Sequence, residues 1–181
     1  MSTLPSQFAW LAGLTGPLMI VHAVKLFGTI ETPGPGNNPT IMAWAKETGL
    51  DASGYSGDDV PWCGLFMAVV AKRAKKNPPS IPLRALAWVN FGMPSPSPSL
   101  GDVLVFERQG GGHVALYVGE DDTRFYCLGG NQDDAVTIAP KEKARLRACR
   151  RPSYRVKPDE VKPVRIGPGL IAGGVSPGKE V

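Results

Sequence analysis

A proline-rich segment, residues 94–100 (PSPSPSL), separates two parts of the chain that have different hydrophobic patterns. Before it, apolar residues such as Ile20, Val24 and Phe27 recur three or four positions apart, which is typical of amphipathic helices. After it, short apolar runs such as residues 101–107 (GDVLVFE) alternate with glycine-containing turns, which is typical of strands. Helices followed by strands predict an α+β domain, with N-terminal helices packed on a small antiparallel β-sheet.

Turn and cap residues set the limits of the predicted elements. The first helix is expected from Pro17 to near Glu31. The second has Asn38 as its cap and Pro39 as its first residue, and ends at Gly49. The third and fourth helices are expected over residues 62–75 and 83–90. Strands are expected at 101–107, 113–118, 124–128, 135–139 and 148–151.

The length of 181 residues allows one domain with a substantial core. The 22 glycines and 18 prolines exceed what a compact domain needs and indicate that part of the chain is loop or tail. Residues 155–181 contain no aromatic side chain and are punctuated by proline, so we expect a tail that cannot bury a core of its own. The predicted organisation is an N-terminal arm (1–16), a folded domain (17–154) and a tail (155–181).

Charge and cysteine content exclude several classes of protein. The net charge of +4 suits an anionic polymer, but no segment combines clustered Lys and Arg with aromatic residues as nucleic-acid-binding proteins do. Three cysteines cannot form a disulfide scaffold. Because no CxxC spacing occurs and only two histidines are present, a structural zinc site is not expected, and no cofactor is predicted.

The apolar run at residues 8–24 is not predicted to be a signal peptide or a membrane span. No basic residue precedes it, whereas a signal peptide carries one there. Glycine, proline and polar residues interrupt it before it reaches about 20 apolar positions.

Cys63 lies at the predicted start of the third helix. A thiol at a helix N-terminus is expected to have a lowered pKa, and the free backbone N–H groups there can hold a developing oxyanion. The alternative is a small, buried, structural cysteine. Cys127 is expected to pack within a strand, and Cys149 is expected to have no role in the chemistry.

His113 follows three glycines and opens a predicted strand. If the following hairpin is centred near Asp121, His113 lies opposite Gly129, and Asn131 is its diagonal neighbour on the same face. An asparagine there can orient the imidazole, as the third member of a Cys-His-Asn arrangement does. The alternative is an asparagine that stabilises its own turn. The other histidine, His22, is expected on a solvated helix face, away from any catalytic site.

Four blocks in this order resemble a known family. They are residues 61–66 (PWCGLF), 101–106 (GDVLVF), 112–114 (GHV) and 128–132 (LGGNQ). They are similar to the phage and prophage cell-wall hydrolases of the CHAP and NlpC-like superfamily, which are cysteine, histidine-dependent amidohydrolases and peptidases with a papain-like core. Residues 31–34 and 37–39 resemble the upstream block of that group, and the resemblance covers about residues 17–154.

The resemblance implies a papain-like fold in which Cys63 is the nucleophile, His113 the base and Asn131 the third catalytic residue. The substrate would be an amide bond of peptidoglycan, cut by an endopeptidase of the stem peptide or by an N-acetylmuramoyl-L-alanine amidase. Asp59, Trp62 and Gln132 are the candidate substrate-binding residues. Loop shaping is the alternative role for Asp59, and core packing is the alternative role for Trp62.

A phage setting would place the protein in the host cytoplasm before release to the wall, or in the virion tail. The N-terminal arm and the C-terminal tail would then be docking segments for tail or baseplate proteins. Two alternatives remain open: a non-catalytic wall-binding or tail structural protein of the same fold, and an acyltransferase on a related scaffold. A glycosidase with paired carboxylates has little support, because Glu107 and Glu120 lie at strand ends where solvated carboxylates are common.

Overall fold

A computed structural model describes residues 3–167 of the chain. Three α-helices precede the sheet: α1 (Leu18–Val24), α2 (Pro39–Thr48) and α3 (Cys63–Arg73). Six strands follow: β1 (Met93–Pro94), β2 (Val103–Arg108), β3 (Gly111–Glu120), β4 (Arg124–Gln132), β5 (Ala135–Glu142) and β6 (Leu146–Arg151). Short 3₁₀ helices occupy Ser6–Gly13, Ala85–Asn90 and Lys143–Arg145.

The strands form one antiparallel sheet in the order β1-β6-β2-β3-β4-β5. Strands β2 to β5 are consecutive hairpins, and β6 returns to pair with the free edge of β2. Helix α3 packs on β3 and β4 and is itself covered by α1 and α2. The prediction of an α+β domain with helices on an antiparallel sheet is confirmed.

The predicted limits of α2 are confirmed by its caps. Asn38 Oδ1 accepts a hydrogen bond from the Thr40 N–H at 2.8 Å, and Pro39 is the first helical residue. Gly49 ends the helix with a φ of 75°, a left-handed conformation that glycine adopts without strain. The chain between α2 and α3 therefore starts from a well-defined point.

The first helix is shorter than predicted. It ends at Val24 rather than near Glu31, because the chain turns to run beside β5. The Gly28 N–H donates to Val136 O at 2.9 Å, and the Val136 N–H donates to Thr29 O at 2.8 Å. This backbone pairing brings the segment around Glu31 to the end of the sheet where β4 meets β5.

The remaining elements lie close to where they were expected, although some differ in type or in their limits. Residues Ala85–Asn90 form a 3₁₀ helix rather than an α-helix. Strand β4 continues to Gln132 and β5 to Glu142, beyond their predicted ends. Strand β1 was not predicted; its two residues pair with β6.

The core lies between α3 and the sheet. Residues Cys63 to Ala71 of α3 are all buried, and the rings of Trp44, Trp62 and Phe66 pack against one another at its N-terminal end. A smaller cluster on the opposite face of the sheet includes Tyr117, Phe125 and Cys127. Cys127 therefore packs within a strand, as predicted.

The apolar N-terminal region folds as two short helices that belong to the core. Phe8 and Leu11 of the first 3₁₀ helix are buried, and so are Met19 and Ile20 of α1. Residues 3–16 are thus part of the folded unit and not a separate arm. Within residues 3–167 no single helix is long and apolar enough to cross a membrane; Ser6–Gly13 and Leu18–Val24 reach that length and composition only as a pair bent by 120°.

The folded unit also extends past its predicted C-terminal limit at residue 154. Val161 and Ile166 are buried, and the Ile166 N–H donates to Glu120 O at 2.8 Å. The Glu120 N–H in turn donates to Val164 O at 2.9 Å. Apolar residues without helical or strand periodicity gave no sign of this packing in the sequence. The rest of the predicted tail, residues 168–181, lies outside the described residues.

Candidate active site

Cys63 is the first residue of α3, and its sulfur lies beside β3. The side chain is only 3% exposed. Backbone N–H groups of Val114, Gly64 and Cys63 itself lie close enough to the sulfur to act on the pKa of the thiol. Since Val114 directly follows His113, the structure brings the predicted nucleophile to the strand that carries the predicted base.

Three glycines permit this close packing. A Cβ at Gly64 would lie 2.3 Å from the Pro82 carbonyl oxygen, so the start of α3 rests directly on the backbone at residues 82–83. A Cβ at Gly130 would lie 2.5 Å from Phe66 Cβ, so β4 also touches α3. A Cβ at Gly112 would lie 2.6 Å from Leu86. The space next to His113 is therefore filled by the side chain of Leu86.

His113 is 7% exposed and is held by Gln132. Its Nε2 lies 3.1 Å from Gln132 Oε1. The Gln132 amide nitrogen donates to Thr137 O at 2.7 Å and to Cys127 O at 3.1 Å, which determines which end of the amide faces the imidazole. Because Oε1 can only accept, His113 Nε2 carries the proton in the neutral ring. The lone pair is then on Nδ1, the nitrogen left to accept a proton.

The side chain that contacts the His113 ring is Gln132 and not Asn131. Asn131 has a φ of 54°, and the pairing of β4 with β5 shifts register between Gly129 and Gln132. Such a bulge re-aims the side chains that follow it. The side chain of Asn131 makes no hydrogen bond to any of residues 3–167, whereas Gln132, predicted to bind substrate, bonds to His113.

The error has two physical sources. The hairpin is not centred where we assumed, since Leu116 pairs with Leu128 and a second irregularity lies between Tyr117 and Gly119. In addition, Asn131, Asp133 and Asp134 all have positive φ. Asparagine and aspartate tolerate this conformation better than other non-glycine residues. The presence of three such residues around the end of β4 indicates that the alternation of side chains between the two faces ends there.

Burial shifts the pKa values of Cys63 and His113 in the directions that favour their neutral forms. Burial raises the pKa of the Cys63 thiol, although the three backbone N–H groups act in the opposite direction. The prediction of a lowered thiol pKa is therefore wrong, because burial outweighs the helix N-terminus. Burial and the nearby Lys141 charge lower the pKa of His113 to about 3, although the hydrogen bond that His113 donates to Gln132 acts in the opposite direction. Both directions favour a thiol and a neutral imidazole over an ion pair.

Asp58, which the sequence analysis did not single out, joins two loops beside the nucleophile. Its buried Oδ2 accepts hydrogen bonds from the Thr32 N–H at 2.9 Å and the Asn38 N–H at 2.7 Å. The Asp58 N–H donates to Asn37 Oδ1 at 2.8 Å. The loop-shaping role considered for Asp59 therefore belongs to Asp58, and the side chain of Asp59 is exposed. Two adjacent aspartates before a helix gave no means to tell which one points inward.

Trp62 lies beneath the site rather than at its surface. It is fully buried, its ring centroid is 6.1 Å from that of Trp44, and its Nε1 donates to Glu31 Oε2 at 3.1 Å. In this structure Trp62 offers no surface to a substrate, and the core-packing alternative describes its position.

Carboxylates gather around Glu31, which accepts a hydrogen bond from Trp62, the residue before Cys63. Burial raises the pKa of Glu31, and the charges of Asp134, Asp58 and Asp59 raise it further. The hydroxyl of Tyr55 is buried near the same charges and has no hydrogen-bond partner among residues 3–167. This acidic region is suited to a cationic group of a ligand.

Other candidate residues lie away from the site. His22 is half-buried near Glu47 and Arg73, at the far end of α3 from Cys63. Helix α3 has 11 residues and is therefore about 16 Å long. His22 is thus non-catalytic by position but less solvated than predicted. Glu107 pairs with Gly112 at one end of β3 and Glu120 lies at the other end, roughly 25 Å away, too far for a pair of glycosidase carboxylates.

Comparison with known proteins adds no family assignment. No family model, curated protein or solved structure matches the chain. Within residues 3–167 no group of three or more His, Cys, Asp or Glu side chains is arranged to hold a metal ion. The functional argument therefore rests on the geometry around Cys63, His113 and Gln132.

Proposed function

We propose that the protein is a thiol hydrolase with a papain-like core that cleaves an amide bond of peptidoglycan. The observation that carries the proposal is the His113–Gln132 hydrogen bond, which leaves Nδ1 as the acceptor. His113 directly precedes Val114, whose backbone N–H lies near the sulfur of Cys63 at the start of α3. The similarity of residues 61–66, 101–106, 112–114 and 128–132 to the CHAP and NlpC-like superfamily supplies the substrate class.

The chemistry follows from the proton positions. His113 Nδ1 takes the Cys63 Sγ proton as the sulfur attacks the amide carbonyl carbon, and the carbonyl electron pair moves to oxygen. The Cys63 N–H at the start of α3 stabilises that oxyanion. The imidazolium then protonates the leaving nitrogen as the C–N bond breaks. Water, deprotonated by His113, attacks the thioester and releases the acyl group and the thiol.

Neutral starting groups assign His113 the role of a general base during attack rather than that of a partner in a resting ion pair. Because the Cys63 thiol and the His113 imidazole are buried, a thiolate and an imidazolium form only when polar groups of the bound substrate can stabilise the charges. Gln132 holds the Nε2 proton throughout, so the imidazolium that forms has both N–H groups directed at acceptors.

The acidic region around Glu31 and Asp59 supports a peptide substrate with a protonated amine. Peptidoglycan stem peptides carry amino groups, and the unpartnered Tyr55 hydroxyl next to these carboxylates offers an acceptor for one. The net charge of +4 suits an anionic cell wall. The endopeptidase and the amidase remain the two forms of the proposal, and each releases a different fragment.

The test is digestion of purified peptidoglycan, with released fragments identified by mass spectrometry. We expect the wild type to release peptides or glycan strands and Cys63→Ala to release none. Cys149→Ala, which removes another free cysteine from strand β6, is the matched control and should keep full activity. Fragment release that survives Cys63→Ala refutes the thiol mechanism.

The near-complete burial of Cys63 and His113 favours one second candidate, a wall-binding or tail structural protein that retains the fold without activity. In that case the folded wild type co-sediments with peptidoglycan and releases no fragments. In a phage setting the protein acts from the host cytoplasm after release, or from the virion tail. Mass spectrometry of purified particles distinguishes these places, since only a tail component is present in them.

A further inference from the structure

The C-terminal end of α3 carries a cluster of lysines whose charges are not compensated. Lys72, Arg73, Lys75 and Lys76 follow one another within five positions. Arg73 is neutralised by Glu47, which accepts from its Nε at 2.9 Å and from a terminal nitrogen at 2.7 Å. None of the three lysines forms a salt bridge with a carboxylate of residues 3–167.

These three lysines line one cavity of about 380 Å³. Its apolar wall includes Leu50, Ala68 and Pro82. The cavity extends along α3 from Ala68 to the lysines after its C-terminal end, and neither Cys63, His113 nor Gln132 lines it, so it is separate from the proposed catalytic site. A concave surface that combines an apolar wall with several cations is typical of a site for an anion with a carbon skeleton.

Two of the ammonium groups are held in place by the protein. Lys72 Nζ donates to the Glu47 backbone carbonyl, and Lys76 Nζ donates to the Ser153 backbone carbonyl. Lys76 Nζ also lies 5.2 Å from the centroid of the Tyr154 ring. Each of these contacts leaves further N–H donors on the ammonium group for a ligand.

Lys75 occupies a backbone position that favours glycine. Its φ is 56°, directly after the cap residue Ala74, and the Lys76 N–H closes the turn on Ala71 O at 2.8 Å. Glycine is the usual residue here, because a side chain is strained in the left-handed conformation. A lysine at this position weakens the turn and contributes a third positive charge to the cavity.

We propose that this lysine-lined cavity binds the phosphate group of a phosphorylated small molecule or of a phosphodiester polymer. Ammonium groups act as point charges that suit a tetrahedral phosphate, whereas carboxylates are preferentially bound by the planar fork of arginine. The guanidinium at this helix end, Arg73, is already engaged by Glu47. The apolar wall accommodates the carbon skeleton attached to the phosphate.

The test measures binding of inorganic phosphate, sn-glycerol 3-phosphate and poly(glycerol phosphate) to the full chain by calorimetry at low salt. We expect saturable binding that Cys63→Ala leaves unchanged and that salt weakens. Equal affinity for the first two ligands identifies a site for the free anion, and tighter binding of the polymer identifies a polymer site. No saturable binding of any of the three overturns the proposal.

The variant Lys75→Gly should change phosphate binding and thermal stability in opposite directions. It removes one charge and relieves the strained turn, so it should raise the melting temperature while it weakens phosphate binding about threefold. The triple variant Lys72→Gln, Lys75→Gln, Lys76→Gln should weaken binding more than tenfold, roughly the combined effect of three charges. The matched control replaces the exposed lysines Lys25, Lys157 and Lys162 with glutamine and should bind as the wild type does. Equal loss in both triple variants would show diffuse attraction and overturn the site.

Discussion

Replacement of Gln132 by alanine tests how the imidazole is oriented. The change removes the 3.1 Å hydrogen bond to His113 and the bonds of 2.7 and 3.1 Å to Thr137 O and Cys127 O. A buried polar group left without a partner costs about 1–3 kcal/mol, so we expect Gln132→Ala to lower the free energy of unfolding by about 2–5 kcal/mol. Chemical denaturation followed by circular dichroism measures this loss.

The same variant should lose activity beyond its loss of stability. Without Gln132 the imidazole can rotate and exchange its tautomer, and a misplacement of about 1 Å costs about 100-fold in rate. We therefore expect kcat for peptidoglycan digestion to fall about 10- to 100-fold at a temperature where the variant is folded. The adjacent Asn131→Gly is the matched control, since glycine adopts its φ of 54° without strain. Its activity should stay within about twofold of the wild type, because no bond to His113 is lost.

The variant Gln132→Glu allows a test by the pH–rate profile, which would not change if Gln132 had only a structural role. A carboxylate at this place favours the imidazolium and raises the pKa of His113, so the acid limb of the pH–rate profile should shift to higher pH. The reasoning is refuted if Asn131→Gly abolishes activity while Gln132→Ala keeps it, or if Gln132→Glu leaves the pH profile unchanged.

Three other predictions follow from the structure. The pKa of His113 is about 3 in the folded protein, against 6.5 for an unperturbed histidine, so only the unfolded chain takes up this proton between those pH values. Stability should therefore fall by about 1.4 kcal/mol per pH unit as the pH drops through that window, and His113→Gln should remove this slope in denaturation curves. Asp58→Ala leaves two loop N–H groups without their acceptor and should destabilise by about 2–4 kcal/mol, whereas the exposed Asp59→Asn should change stability by less than about 0.5 kcal/mol; equal effects would contradict the assignment. Gly64→Ala places a Cβ 2.3 Å from Pro82 O and should lower both melting temperature and activity, whereas Gly13→Ala, with no atom within 4 Å, should be tolerated; a fully stable Gly64→Ala would contradict the packing.

Local signals in the sequence were sufficient for much of the fold. Asn38, Pro39 and Gly49 delimit α2 because capping depends on a few neighbouring residues. The change of hydrophobic period after residues 94–100 predicted helices packed on an antiparallel sheet. Local signals did not predict the early end of α1, because backbone pairing with β5 there depends on residues more than 100 positions away.

The sequence was sufficient to select Cys63 and His113 as candidate site residues, but not to predict which side chain contacts the imidazole. Cys63 and His113 lie on adjacent elements as expected, since a helix start and a strand start can be recognised locally. Gln132 rather than Asn131 contacts His113 because the hairpin is centred elsewhere than expected and because Asn131 is left-handed. A shift of one position moves a side chain to the other face of a strand. The pKa of the Cys63 thiol is raised rather than lowered, because burial outweighs the effect of the helix N-terminus. Burial depends on the whole fold and could not be predicted from local sequence.

The central claim is that the Cys63 sulfur forms a covalent bond to the acyl group of the substrate with His113 as the base. The most direct measurement is mass spectrometry of the intact protein, quenched by acid during the first turnover with soluble peptidoglycan fragments. The account predicts a mass increase equal to the acyl portion, located on the peptide that contains Cys63 and absent from Cys63→Ala. Release of fragments with no adduct on Cys63 at any time point, and undiminished in Cys63→Ala, would contradict it.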